Sequence, residues 1–289
     1  MLFTSTVTLL AAVLGAIGSP VEKRSVPQTL LDEFTRYAKY ASSAYQPLCP
    51  HPLGNTLVNQ INQQSTNTQL FIARDDTRRE IVVSFRGSLQ PADFLLTDLD
   101  IILIPFQTAG VTADTTGALA HQGWLNAYNS VASQILSTVT DQLASHPSYT
   151  LVSTGHSLGG ALASIGAVSL KQNFPSSFVR MFTYGQPRTG NQGYADLVEQ
   201  IVGVPNLYRS TLSFNGVPTL YPRFLGYHHH AGEFWNFVDG PTAAHIKVCS
   251  GQEDPTCSDS IPTGGINLQH LFYFGEGKHH VILRCQINP

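Results

Sequence analysis

Tyr149-Thr150-Leu151-Val152-Ser153-Thr154-Gly155-His156-Ser157-Leu158-Gly159-Gly160-Ala161 decides the fold. Its first six residues are short, β-branched and apolar enough for a buried strand. Gly160 to Leu170 reads as a helix packed closely through small side chains. Between the two, Gly155-His156-Ser157-Leu158-Gly159 fits G-x-S-x-G, the sharp strand-to-helix turn that presents a serine hydroxyl as a nucleophile. Five letters recur by chance, so the strand, tight turn and helix around them carry the reading. The glycines flanking Ser157 let the turn form without a Cβ clash. The helix N-terminus then offers a backbone N–H and the positive end of a dipole to an oxyanion. A glycine-rich turn of a Rossmann-like unit is the competing reading, and the nucleophile is preferred.

Outward from this stretch, strands alternate with helices. Leu30, Leu31, Phe34, Tyr37, Ala38 and Ala41 recur at helical spacing, with Thr29 as the expected cap. Gln69 to Arg74 and Glu80 to Phe85 read as strands joined by Asp75-Asp76-Thr77. One helix is expected from about Gly123 to Leu143, ended by His146-Pro147. Phe178 to Tyr184, Asn206 to Thr211 and Phe234 to Val238 read as further strands, and Gly193 to Val202 as a helix. Such alternation argues for a mainly parallel sheet covered on both faces.

The chain has 289 residues, 42% of them hydrophobic, enough for one α/β domain with a substantial core. A net charge of −3 with 12% charged residues gives no basic surface for a nucleic-acid partner. Val7 to Ile17 is an apolar run too short to span a membrane, and Ala16-Ile17-Gly18 supplies small residues for cleavage. Residues 1–18 are therefore expected to be a signal peptide. Residues 19–24 are expected to form a propeptide ending at Lys23-Arg24, leaving residues 25–289 as a single domain. No later segment reads as transmembrane. Export places Cys49, Cys249, Cys257 and Cys285 in an oxidising compartment, where an even count suggests two disulfides. Three pairings are open; Cys249 and Cys257 could close a short loop, leaving Cys49 to tie to Cys285. No CxxC spacing suggests zinc.

A serine hydroxyl needs a base within hydrogen-bond reach and a third group that orients the base. In the chain order Ser, acid, His, that base lies toward the C-terminus. His270 stands in a turn-rich segment, and His279 and His280 follow beside Lys278. The triplet His228, His229 and His230 suggests a metal, but adjacent side chains rarely converge on one ion, so a structural role is expected for them.

Four blocks together carry a resemblance: Phe85-Arg86-Gly87-Ser88, His121-Gln122-Gly123-Trp124, the segment around Ser157, and Tyr184-Gly185-Gln186-Pro187-Arg188-Thr189-Gly190-Asn191. With Gly226-Tyr227-His228-His229, Glu233-Phe234-Trp235 and Gly264-Gly265-Ile266-Asn267 before His270, they resemble the fungal class 3 lipases. That family includes filamentous-fungus triacylglycerol lipases and feruloyl esterases. The resemblance runs from about Gln28 onward. It implies an α/β-hydrolase variant with a mainly parallel central sheet, helices on both faces and a short lid. It implies Ser157 as nucleophile, His270 as general base, and Ser88 and Leu158 as backbone donors of an oxyanion hole. It implies the disulfides Cys49–Cys285 and Cys249–Cys257, and structural roles for His121 and His229.

One position departs from the pattern. The family's Thr-His-x-x-Asp-x-Val-Pro segment is here Thr211-Leu212-Ser213-Phe214-Asn215-Gly216-Val217-Pro218, with Asn215 where the acid belongs. An asparagine can hold an imidazole but supplies no charge to an imidazolium. Either Asn215 orients His270 in a weak enzyme, or Asp239 or Glu233 takes over, or the chain binds lipid without turning it over. The Asn215-Gly216 bond also has the sequence of a deamidation site.

The family's lid follows Ser88. Here Leu89, Phe94, Leu95 and Leu96 make residues 89–97 apolar, which favours long-chain acylglycerols over feruloyl esters. The alternative is that Leu95 to Ile104 is a core strand. The expectation is a secreted, monomeric triacylglycerol lipase acting at a lipid–water interface, with no metal and no cofactor. A feruloyl or related carbohydrate-linked esterase is the alternative.

Overall fold

The structure is a computed structural model that describes residues 25–89, 101–238, 240, 242–261, 267–277 and 285. Eight strands form the central sheet: β1 Thr56–Gln63, β2 Thr68–Asp75, β3 Glu80–Phe85, β6 Thr150–His156, β7 Val179–Tyr184, β9 Leu207–Leu212, β11 Glu233–Asn236 and β12 Ile246–Val248. They lie in that spatial order. The five strands from β3 to β11 run parallel. Antiparallel strands flank them at both edges. Five of the six strands expected from the central alternation form the parallel centre, and the sixth, Gln69 to Arg74, is the antiparallel β2 beside it. The edge strand β1 escaped that reading because its polar sequence buries only Ile61 and shows no alternation.

Side-chain alternation divides the core between two faces. Leu70, Ile72, Ile81, Val83 and Phe85 face α2 Gln122–Asn129, α3 Ala132–Ser145, α4 Leu158–Asn173 and α5 Gln192–Val202, meeting Trp124, Tyr128, Ile135, Val139, Ile165 and Val198. Phe71, Ala73, Val82, Val152 and Phe182 face the single helix α1 Gln28–Ser43 through Phe34, Tyr37 and Tyr40. Pro27, not Thr29, precedes the first turn of α1. The long helix expected at 123–143 is two helices. Ser130 turns its hydroxyl back to the Ala127 carbonyl at 2.7 Å, and Val131 leaves helical geometry at φ −122°, ψ −6°.

A second sheet of short strands, β4 Leu103–Pro105, β5 Leu119–His121, β8 Gly190–Asn191 and β10 Tyr227–His228, lies in the order β10-β8-β5-β4. The end of the stretch read as a core strand, Leu95 to Ile104, therefore belongs to a small antiparallel sheet, with Ile101 and Ile102 exposed. Phe94, Leu95 and Leu96 lie outside the described residues, as do residues 1–24, where a signal peptide and propeptide are expected. The Cys49–Cys285 and Cys249–Cys257 disulfides are both formed.

Candidate active site

The C-terminal ends of the parallel strands carry the candidate site, as open α/β sheets favour. β6 ends at His156, and α4 begins at Leu158, leaving Ser157 alone at the turn with φ 60° and ψ −130°. This is a left-handed, strained conformation for a residue with a Cβ. Its surroundings admit no bulk. A Cβ on Gly155 would lie 2.1 Å from the Gly159 carbonyl oxygen, and one on Gly159 would lie 2.3 Å from that of Phe85. The Ser157 N–H donates to the Tyr184 carbonyl at 2.8 Å, fixing the turn to β7.

The end of β3 abuts the turn. A Cβ on Gly87 would come within 3.1 Å of the Ser157 Cβ, so the Gly87-Ser88 backbone lies directly beside Ser157. Arg86 holds this segment by donating to the Gln69 side-chain oxygen at 3.1 Å and to the Asn67 carbonyl at 2.7 Å. Leu158 opens α4, where the first N–H groups have no intrahelical acceptor. Leu89 is exposed, while Ser157 and His270 are 5% and 3% exposed.

His270 arrives from the short helical turn Leu268–Leu271. Its ring packs over Gly185 at the end of β7, where φ is +58° and a Cβ would lie 2.9 Å from the ring Nδ1. The structure thus brings the expected nucleophile and base to neighbouring strand ends. Asn215 is with them: its Nδ2 lies 3.1 Å from His270 Nδ1 and donates to the Tyr273 hydroxyl oxygen at 2.5 Å. Its Oδ1 accepts from the Val217 N–H at 3.0 Å. That N–H can only donate, so it fixes which end of the amide faces the histidine. With Nδ2 donating to Nδ1, a neutral His270 carries its proton on Nε2. A carboxylate there would accept from Nδ1 and leave Nε2 as the base.

Glu233 does not stand in for the missing acid. It accepts from the Thr211 hydroxyl at 2.6 Å and pairs with buried Arg209 at 3.4 Å. Asp239, His279 and His280 lie outside the described residues. The histidine triplet diverges. His229 reaches the Pro218 carbonyl at 2.8 Å, while His230 bonds its neighbour Ala231 and receives a hydrogen bond from Gln186. Burial pushes His229 well below its ordinary range and His230 down to about 3, assisted by the Arg209 charge. His121 caps α2 and stacks on Trp124 at 4.0 Å. Among the described residues, the one cluster of metal-type side chains, Cys249, Asp254 and Cys257, has both sulfurs in a disulfide.

Sequence reasoning missed Tyr273, which buttresses Asn215, and quoted Asn267 only within a motif block, without its hydrogen bond to the Phe214 carbonyl at 2.7 Å. It likewise quoted Arg188 only within a motif block, with no role. This residue makes a two-pronged bond to Glu253 at 2.8 and 2.9 Å and ties the Cys249–Cys257 loop to the Gly185-Gln186-Pro187 turn. Only the three-dimensional proximity of distant segments gives these residues their roles.

Residues 82–224 match the family model described as Lipase (class 3). The chain is 32% identical to a secreted mono- and diacylglycerol lipase of Fusarium solani, over 92% of this chain and 86% of that one. It is 30% identical to a secreted alkaline triacylglycerol lipase of Penicillium cyclopium, over 90% of each chain. A solved triacylglycerol lipase from Penicillium expansum superposes with a TM-score of 0.82 at 30% identity, covering 90% of this chain and 98% of that one.

Proposed function

The chain belongs to the fungal class 3 lipase family, and from that membership we propose a secreted carboxylic-ester hydrolase that cleaves acylglycerols through an acyl-enzyme on Ser157. One observation carries the residue assignment: Ser157 is held at a strained turn whose neighbouring strand end carries the His270 ring. Ser157 Oγ attacks the ester carbonyl while His270 accepts its proton. The backbone N–H groups of Ser88 and Leu158 hold the oxyanion, each such donor contributing on the order of 3 kcal/mol. His270 returns the proton to the departing alcohol, and water then releases the acid.

Exposed apolar side chains around the base support a lipid substrate. Phe214 precedes Asn215, and Leu268 and Phe272 flank His270, with 59%, 77% and 45% of their surface exposed. Secretion is supported by the names of the relatives and by the two disulfides. Among the described residues no helix is long and apolar enough to cross a membrane.

The Asn215 geometry favours a second reading within the same chemistry, an enzyme whose turnover is limited by its base. His270 must shed the Nε2 proton, or turn away from Asn215, before it can activate Ser157.

A fluorophosphonate labels only an activated serine. Rapid labelling of the wild type, absent in Ser157→Ala, together with hydrolysis of emulsified long-chain triacylglycerol and not of methyl ferulate, is the expected result. Labelling of Ser157→Ala at the wild-type rate would remove the nucleophile assignment. Preference for methyl ferulate would move the substrate class to carbohydrate-linked esters.

A further inference from the structure

His156 has no role in the chemistry above, yet it is buried against every part of it. Its Nε2 lies 2.6 Å from the His270 backbone carbonyl oxygen, and the two rings are 4.5 Å apart. A carbonyl only accepts, so His156 carries its proton on Nε2 and donates it to His270. The Nδ1 of His156 is then an acceptor, and the Tyr45 hydroxyl lies 2.8 Å from it. The Tyr45 hydroxyl therefore donates its proton to His156, and the Gly87 backbone packs against its oxygen. A Cβ on Gly87 would stand only 2.2 Å from the Tyr45 oxygen, so the approach depends on glycine.

The Gly87 contact and two hydrogen bonds form one chain, from Gly87 against Tyr45, through the Tyr45 O–H to His156, to the His270 carbonyl. Gly87 adjoins the oxyanion donor Ser88, His156 adjoins the nucleophile, and His270 is the base. Tyr45 comes from just beyond the C-terminal end of α1, an element with no other part in the site. We propose that Tyr45 and His156 are positioning residues that lock the oxyanion segment, the nucleophile turn and the base loop into one register.

The proposal rests on His270 being the base, and it matters more here than where an aspartate holds the imidazole. Asn215 grips the ring with a neutral hydrogen bond, roughly half as strong as a charge-assisted one. The backbone anchor therefore carries a larger share of the placement of His270.

The test uses a soluble p-nitrophenyl ester and the fluorophosphonate, with Tyr45→Phe, His156→Leu, His156→Gln and His270→Ala, each checked for folding by thermal melting. Tyr45→Phe and His156→Leu should each lower kcat about tenfold while KM stays within about twofold, the loss of one hydrogen bond's worth of alignment. His156→Gln keeps an N–H donor near the Nε2 position and should recover most of the rate. A purely packing role predicts no such rescue. Folded Tyr45→Phe and His156→Leu with wild-type kcat overturn the proposal, as does a His156→Gln as slow as His156→Leu. Wild-type labelling of His270→Ala overturns instead the assignment of the base on which the proposal rests.

Discussion

At the scale of single residues, the chemistry turns on one amide. Asn215 occupies the place of a carboxylate, and its oxygen is already committed to the Val217 N–H. Its nitrogen therefore meets His270 Nδ1 and selects the tautomer protonated on Nε2, which in the proposed mechanism cannot accept a proton from Ser157. Asn215→Asp should raise kcat at least about tenfold, toward the ~10⁴ effect of the corresponding aspartate in serine proteases, with KM little changed. Steady-state tributyrin hydrolysis measures it, and an unaltered kcat would assign the acid's role elsewhere. The same bonds bear on Asn215-Gly216. With both ends of the amide engaged and 6% of the residue exposed, ring closure onto Gly216 is held back in the fold. Peptide mass spectrometry should find aspartate there after incubation of the denatured chain and the intact amide in the native one. The amide's presence was legible as a departure from a motif. Its orientation was not, because that depends on a backbone donor two residues on and on Tyr273 from another segment.

At the scale of elements, the turn between β6 and α4 is the least forgiving part of the molecule. Gly155→Ala sets a Cβ against a backbone oxygen at 2.1 Å and should cost roughly 3 kcal/mol or more. Gly117→Ala, with nothing within 4 Å of its Cβ at φ +80°, should cost only the backbone penalty of about 1–2 kcal/mol. Urea unfolding of the two variants measures the difference; equal losses would contradict the packing described. The central strands were legible because a buried parallel strand is a dense apolar run bounded by turns. The small sheet β4-β5-β8-β10 was not, since strands of two or three residues, such as Gly190–Asn191, are too short to carry a period. The break at Ser130 was hidden for the converse reason. Trp124 and Tyr128 before it and Ile135 and Val139 after it face the same core, so the apolar pattern runs on where the helix does not.

At the scale of the whole molecule, pH and covalent closure set stability. His229 and His230 are kept neutral by burial, His230 to about pH 3 against 6.5 for the free side chain. The unfolded chain binds protons there that the fold refuses, so their contribution is complete above pH 6.5 and is lost as pH falls toward 3. Glu253 acts in the same sense: burial would raise its carboxyl, but the Arg188 hydrogen bond and charge hold it below its ordinary value. The melting temperature should fall between pH 7 and pH 4, less steeply in His230→Gln; an unchanged slope in that variant would exclude His230 as a source. The disulfides should differ in weight. Their sequence separations of 236 and 8 residues give, by chain entropy, about 5 and about 2.5 kcal/mol respectively. Removing Cys49 and Cys285 together should therefore lower the melting temperature more than removing Cys249 and Cys257. The helix α1 has a further consequence. It leaves the ribosome before every strand it packs on, and the surface it covers includes Phe182 and Leu212, which are synthesised well over a hundred residues later. Through that interval Phe34 and Tyr37 lack their partners Phe182 and Tyr208, so nascent chains stalled before β9 keep part of an aromatic stripe exposed and should be sticky until translation passes that strand.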